Sequence, residues 1–537
     1  MHALYMHASG CQRRFREPPF PGGEGVPDGQ KSGHSWRYDD ATEHRADHGG
    51  SDGGAVHGAV GRAGDCPAID RLAAEGVVFE STYSNSPLCA PARFAMMAGQ
   101  QNHKIGAYDN ASELSSTVPT FAHHLRSAGY QTSLVGKMHF VGPDQLHGYE
   151  ERLTTDIYPA DFGWTPNWLD PDGRFDWWFH NLDSVTHAGV ADATNQLDYD
   201  DEVGFRTIRK LRDLARTIDK RPFMVTASFT HPHDPYVARQ EFWDKYEDVE
   251  IPLPTVGPIA DEDLDPHSAR LRKVICADTT EVTDEQILAA RRAYLANCSY
   301  VDHWVGQILD TLEHHGLADD TIIVFTADHG DMLGERGLWY KMNFFEHSAR
   351  VPLIVHSPTR FGASRVATLS SLLDIAPTLL DLAGLEVPNA MDGHSLVPQL
   401  GGFEDMLRTV EGEYLGEGAV APIFMLRRGN LKYIFSQPDG DQLYDLNVDP
   451  QELNNVVDSP EYLADAASFQ SEVMDRWNMS QILVDVLDSQ ANRRVVDHAL
   501  RKGQYSAWDF QPTTDASGQY MRNHLDLNDV ESGRRSQ

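Results

Sequence analysis

Cys89 stands two residues before Pro91 and four before Arg93 in the stretch SNSPLCAPARFAMMAGQ, residues 84–100. Proline suits the first turn of a helix, and ARFAMMA continues that helix as far as Gly99. A cysteine at that entrance meets free N–H groups and the positive end of the helix dipole, which favour a negatively charged side chain. Arg93, one turn on, leans back toward it. A lone cysteine is also compatible with simple burial, and the proline and arginine are what point to chemistry. Downstream, the apolar run TIIVFTADHGDMLGE ends in Asp328 and His329, a carboxylate and an imidazole side by side that suit a divalent metal. TSLVGKMHF ends in Lys137 and His139, and FMVTASFTHPHDPY ends in His231 and His233, each pair on one face of its strand. Lys341 follows in LWYKMNFFEHSARVP. Cations and proton carriers at the ends of several strands describe a pocket for a tetrahedral oxyanion beside a metal.

Such residues converge only if the strands lie in one sheet. From AIDRLAAEGVVFESTY onward, apolar strands alternate with helices such as PTFAHHLRSAG and DEQILAARRAYLANCSYVDHWVGQILDTLEHHG. That alternation predicts a layered, mostly parallel sheet, whose ligands bind beyond the carboxyl ends of the strands. After Gly401 the texture changes to short strands and turns, a smaller α+β piece, and the chain closes on the polar tail MRNHLDLNDVESGRRSQ. Residues 1 to about 65 carry Gly, His and Asp without helix or strand periodicity. The loop DFGWTPNWLDPDGRFDWWFHN, residues 161–181, holds Trp164, Trp168, Trp177 and Trp178. Rings in such a loop either cover a core edge or cage a quaternary ammonium by cation–π attraction.

The composition excludes several classes. With 537 residues, 41% hydrophobic and 23% charged, the chain can bury a large core. A net charge of −35 argues against nucleic acid as a partner. No run of eighteen apolar residues spans a membrane, and the first twenty residues lack the apolar stretch of a secretory signal. Five scattered cysteines form no disulfide framework or zinc motif, so a reducing, cytoplasmic setting is expected.

Assembled, these motifs resemble the formylglycine-dependent type I sulfatases of the alkaline phosphatase superfamily, from about residue 67 to the C-terminus. CAPAR matches that family's Cys-X-Pro-X-Arg, and LVGKMHF, THPHDP, FTADHGDMLGE and Lys341 follow in the family's order. The resemblance implies a large mixed, mostly parallel sheet sandwiched by helices, with a smaller C-terminal α+β subdomain and an extended tail. The implied boundaries are 66–400 for the catalytic domain, 401–480 for the smaller one and 481–537 for the tail. It further implies that a formylglycine-generating enzyme oxidises Cys89 to formylglycine, whose hydrate attacks sulfur and releases the alcohol. Asp328, His329 and residue 89 would hold a divalent metal, calcium ahead of magnesium or manganese. Arg93 and Lys137 would hold the hydrate and the sulfate, His139 would act on the second hydroxyl, and His233 with Lys341 would serve the leaving oxygen. His231 is a further substrate-side candidate.

Finer features, namely SPLCAPARFAMMAGQ, DFGWTPNW, GEGAVAP, DQLYDLNVDPQELNN and QYMRNHLDLNDVE, resemble the choline-sulfatase subgroup. That subgroup implies choline-O-sulfate as substrate, Trp164 over the trimethylammonium group, Glu417 as its anionic partner, and His180 and Asn181 on the pocket wall. It also implies a homo-oligomer in which the tail reaches a neighbouring subunit. Arylsulfatases and phosphonate monoester hydrolases share the signature, and a sulfatase-like binder without turnover is the alternative of a different class. One departure favours that alternative. The family opens on an apolar strand ending in acidic residues, and no such run precedes Pro67, although Asp39 and Asp40 imitate the acidic pair. Residues 1–65 therefore read as an aberrant, mis-framed or disordered segment.

Overall fold

Runs dense in branched apolar side chains, such as TIIVFTA, form the interior strands of the computed structural model, which describes residues 2–8, 64–171, 180–505 and 507–510. The large sheet is built from β1 (His2–Ala8), β2 (Val77–Tyr83), β3 (Gln131–Gly136), β4 (Phe223–Ser228), β5 (Thr321–Ala327) and β6 (Arg350–His356). Short strands at its margins complete nine among the described residues, and the long strands run in the order β2-β6-β5-β1-β4-β3. β3 and β4 are parallel, in a register that pairs Gly136 with Ser228. β1 runs antiparallel to both of its neighbours, and β6 to both of its own. The sheet is thus mixed. Strand–helix alternation does not reveal the reversed strands, because a long connection can re-enter a sheet from either end.

Helices cover both faces. Among them are α1 (Pro67–Glu75), α2 (Cys89–Ala98), α3 (Asn195–Arg216) and α4 (Asp284–His314). Apart from Arg93, α2 is apolar all round, and every residue from Cys89 to Ala98 is buried. A helix with no polar face belongs inside the protein. It ends at Gly99, whose φ of 66° is the left-handed cap that glycine adopts without strain. α4 begins at a capping box formed by Thr283 and Gln286.

The region after Gly401 folds into a second sheet of four antiparallel strands, β7 (Thr409–Tyr414), β8 (Ile423–Arg428), β9 (Leu431–Ser436) and β10 (Gln442–Asp445). Lys432 of β9 is fully buried and ties this sheet to the first, reaching Glu346 at 2.8 Å and Glu452 at 2.5 Å. α5 (Leu463–Arg476) and α6 (Met479–Leu500) follow. The expected tail therefore begins with a long helix, and its last stretch, residues 511–537, lies outside the described residues.

β1 corrects one expectation. The sequence reading puts no strand before Pro67, yet His2–Ala8 lies in the middle of the sheet, with Tyr5 packed toward Phe121 and Met96 on one face and Met6 in the core of the other. ALYM is too short and too poor in β-branched residues to announce a strand. Pairing along both edges makes it one. His2–Ala8 itself carries no acidic residue. β4 and β5 bring their C-terminal ends to one rim, and β1, running the other way, brings its start there, with Ala3 opposite Ser228 and His2 opposite Ala327. Asp39 and Asp40 lie outside the described residues.

Candidate active site

Three strand ends and one helix start meet at Arg93. Its guanidinium donates from Nε to Asp328 Oδ2 (3.0 Å), and from Nη1 to the Lys137 carbonyl (2.9 Å) and Ser228 Oγ (2.8 Å). One buried side chain on the second turn of α2 thus fixes the tips of β3, β4 and β5 relative to Cys89. The tips can approach because residue 136 is glycine: a Cβ there would stand 2.0 Å from the Ser228 carbonyl oxygen, and its φ is +103°. Burial by itself would raise the Asp328 carboxyl, but Arg93 and His329 beside it hold it well below the usual carboxylate range.

Cys89 opens α2, with Sγ 3.4 Å from His329 Nε2 and 3.8 Å from His233 Nε2. Asp328 Oδ2 lies 3.8 Å from His329 Nε2. Residue 89, His233 and His329 form one cluster of convergent donors, Asp328 lies beside His329, and residue 89, Asp328 and His329 fit a divalent cation as part of its coordination. Only one of them is a carboxylate. A hard cation takes six or more oxygens, so water and substrate would have to supply the rest.

Lys137 is buried, and its ammonium group has no hydrogen-bond partner among the described residues; it lies 4.1 Å above the Tyr158 ring. Burial and the Arg93 charge pull its pKa down to about 8 against the pull of Cys89. His139 is buried and neither ring nitrogen is hydrogen-bonded among the described residues. Burial, then the neighbouring Lys137, keeps it neutral, well below the usual histidine range. Its φ of 62° is left-handed, held in place by Asp156, whose Oδ2 accepts from the Met138 and His139 N–H groups at 3.0 and 2.7 Å. Asp156 is in turn fixed by Arg152 at 2.7 Å.

On the opposite wall, Lys341 Nζ donates to His180 Nε2 (2.8 Å) and His233 Nε2 (2.7 Å). His233 Nδ1 donates to the Asp234 carbonyl at 2.7 Å, with Asp234 Oδ1 at 3.0 Å, so its proton sits on Nδ1 and Nε2 offers a lone pair. Burial, with the Lys341 charge, keeps both imidazoles neutral, His180 down to about 4. Tyr340 and Met342 flank the lysine with φ of 65° and 79°, strain that persists only where surroundings over-determine the backbone.

A cavity of about 380 Å³ opens beside these groups, lined by Tyr158, Trp164, Gln196 and Pro235 among others. Trp164 packs on the His139 and Tyr158 rings at 5.7 and 5.3 Å between centroids. Glu417 is buried, and neither carboxylate oxygen has a hydrogen-bond partner among the described residues. Burial and then Asp109 push it up to about 8.

The structure brings Cys89, Arg93, Lys137, His139, His233, Lys341, Asp328, His329, His180 and Trp164 together. It leaves His231 elsewhere: Nδ1 pairs with Asp200 at 2.7 Å and the ring packs edge-on against Tyr300. Asn181 serves the backbone, its Oδ1 accepting from the Asp183 N–H and its carbonyl from the Tyr340 hydroxyl. Trp168 is a strut, donating from Nε1 to the Gly416 carbonyl at 3.0 Å; Trp177 and Trp178 lie outside the described residues. Sequence reasoning missed Tyr158, Asp156 and Asp234. Only Asp234 carried a signal, since it directly follows His233 in THPHDP.

The comparisons agree with this geometry. The sulfatase family profile matches residues 46–385, that of the N-sulphoglucosamine sulphohydrolase C-terminal region 334–478, and that of the choline sulfatase enzyme C terminal 484–535. A choline-sulfatase of Rhizobium meliloti (strain 1021) is 51% identical over 478 residues, 87% of this chain and 93% of that one. An arylsulfatase of Clostridium perfringens is 27% identical over 74% of this chain and 86% of its own length. Among solved structures, a phosphonate monoester hydrolase from Silicibacter pomeroyi shares the fold at a TM-score of 0.62 and 24% identity, covering 77% of this chain and 90% of its own. No helix among the described residues is long and apolar enough to cross a membrane. Signature, strand-end chemistry and sequence identity over nearly the whole length agree, and the chain belongs to the sulfatase family.

Proposed function

We propose that this protein hydrolyses choline-O-sulfate to choline and sulfate. The observation that carries the substrate is Glu417, a buried carboxylate whose two oxygens accept no hydrogen bond among the described residues. A quaternary ammonium has no N–H to donate, so it neutralises such a group by charge alone, and an aromatic face beside it adds about 2 kcal/mol when the cation is desolvated. Trp164 and Tyr158 supply such faces at the cavity.

Residue 89, matured to formylglycine by a formylglycine-generating enzyme, supplies an aldehyde hydrate as nucleophile; the metal, calcium ahead of magnesium or manganese, supplies Lewis acidity when held by Asp328, His329 and residue 89. The chain's own groups do the rest. Arg93 and Lys137 provide fixed positive charge for the sulfuryl oxygens. Lys341, held between two neutral imidazoles, donates a proton to the departing choline oxygen, and a proton relayed through His233 Nε2 restores its ammonium form. His139, neutral and with no hydrogen-bond partner among the described residues, takes a proton from the site when sulfate is expelled. A cytoplasmic homo-oligomer completes the reading.

Steady-state choline release from choline-O-sulfate, set against hydrolysis of 4-nitrophenyl sulfate and of an aryl phosphonate monoester, tests it. A higher kcat/KM for choline-O-sulfate is expected; preference for either aryl ester overturns it. The rim end of β1, which brings no acidic residue, favours a second reading: binding of choline sulfate with weak turnover. Tight choline-sulfate binding without choline release would select it.

A further inference from the structure

The buried face of α6 is Ile482, Val486, Gln490 and Arg493, two apolar residues followed by two polar ones. The polar end grips the aromatic loop. Gln490 Oε1 accepts from the Trp168 N–H at 3.0 Å, Arg493 Nη1 reaches Thr165 Oγ1 at 3.3 Å, and Arg494 Nη1 donates to the Pro166 carbonyl at 3.1 Å. Three side chains of one helix thus hold three of the four residues that follow Trp164. The same loop also reaches the Glu417 turn, because Trp168 Nε1 donates to the carbonyl of Gly416, the residue before Glu417.

Arg493 also makes a two-pronged ion pair with Asp109, at 2.6 and 2.7 Å, with both partners buried. Such a fork fixes direction as well as distance. The next residue, Asn110, accepts at Oδ1 from the Ala90 N–H on the first turn of α2, at 3.0 Å. α6 is therefore joined to the cation-binding loop, to the Glu417 turn and to the nucleophile's helix, each through buried hydrogen bonds.

We propose that Gln490, Arg493 and Arg494 are positioning residues for substrate specificity: α6 sets the spacing between Trp164, Glu417 and residue 89 and so selects a cation at one fixed distance from the sulfate. This rests on the choline-sulfate reading. None of the three touches the substrate. Each acts through the loop it holds, so loosening the clasp weakens recognition of the cationic end and leaves the sulfate chemistry in place.

The test uses the full-length matured enzyme and two esters, choline-O-sulfate and 4-nitrophenyl sulfate. Gln490→Met keeps the volume and removes only the Trp168 bond; Arg493→Ala removes the fork and Arg493→Lys restores the charge without it. We expect KM for choline-O-sulfate to rise about tenfold in Arg493→Ala and about threefold in Gln490→Met, with kcat and the aryl-ester kcat/KM within twofold of wild type and Arg493→Lys in between. Should Arg493→Ala not fold, Gln490→Met carries the test alone. Equal losses on both esters, or unchanged KM values, overturn the inference while leaving the choline-sulfate reading standing. A wild type with no preference for choline-O-sulfate overturns both.

Discussion

Lys341 is locked between two imidazoles, one of them braced by Asp234, and every strained residue around it is pinned. Across the pocket, Asp328 has Arg93 and His329 for company, while the neighbouring strand, β1, brings its start to the rim and no second carboxylate. On the wall that serves the leaving group Lys341 is held from both sides, whereas the wall that would hold a metal brings one carboxylate, Asp328, among the described residues. The difference shows what each wall depends on. The leaving-group wall is made by loops that follow β4 and β5, whose register is set by long apolar strands. The metal wall also depends on the direction of one seven-residue strand, and a reversed strand carries its ends to opposite rims.

The contrast can be broken first at the finished wall. Lys341→Ala should lower kcat on choline-O-sulfate by about 10²- to 10⁴-fold with KM little changed, read by steady-state kinetics; a small loss would move the acid elsewhere. At the other wall, replacing residues 1–8 by an apolar strand that ends in aspartate at the rim should tighten Ca²⁺ binding by roughly 10- to 100-fold, read by titration calorimetry. Equal affinity in the two proteins would mean that the native chain already has its full donor set.

Smaller effects sharpen the comparison at Glu417. Its neutral form cannot bind a cation and its pKa is raised to about 8, so KM for choline-O-sulfate should fall as pH rises through that value. Glu417→Gln should flatten the profile and raise KM about tenfold or more. The same group carries a stability signature with the opposite trend. Its folded pKa lies above the ordinary 4.5, so it stabilises the ligand-free fold fully below that ordinary value, and the contribution is lost as pH rises through about 8. The Tm of ligand-free protein should therefore fall between pH 6 and 9, by about 2–4 °C more than in Glu417→Gln; identical slopes would remove Glu417 as the titrating group.

Much of this was legible in the sequence, for a local reason. An apolar run that stops at histidine, lysine or aspartate states both a strand and its chemically useful end, as at Lys137, His233 and Asp328. Pro91 and Gly99 state the limits of the helix that carries Cys89. What stayed hidden depends on residues brought together from far along the chain. Asp109 and Arg493 lie 384 positions apart, and neither looks functional alone. Tyr158 sits in a loop with no periodicity to recommend it. His231 and His233 are equivalent in the sequence; only the fold, by giving Asp200 to one and Lys341 to the other, separates them. β1 was unreadable because its stability comes from two neighbouring strands rather than from its own residues.

The account turns on residue 89, seated between Arg93, Lys137, His233 and His329 as an electrophilic carbonyl rather than a thiol. Mass spectrometry of the tryptic peptide that contains it, from protein made alongside a formylglycine-generating enzyme, addresses this directly. We expect that peptide to carry the mass of the aldehyde or its hydrate and to react with a hydrazide. A peptide that retains the cysteine mass throughout, and alkylates as a thiol, would contradict the account.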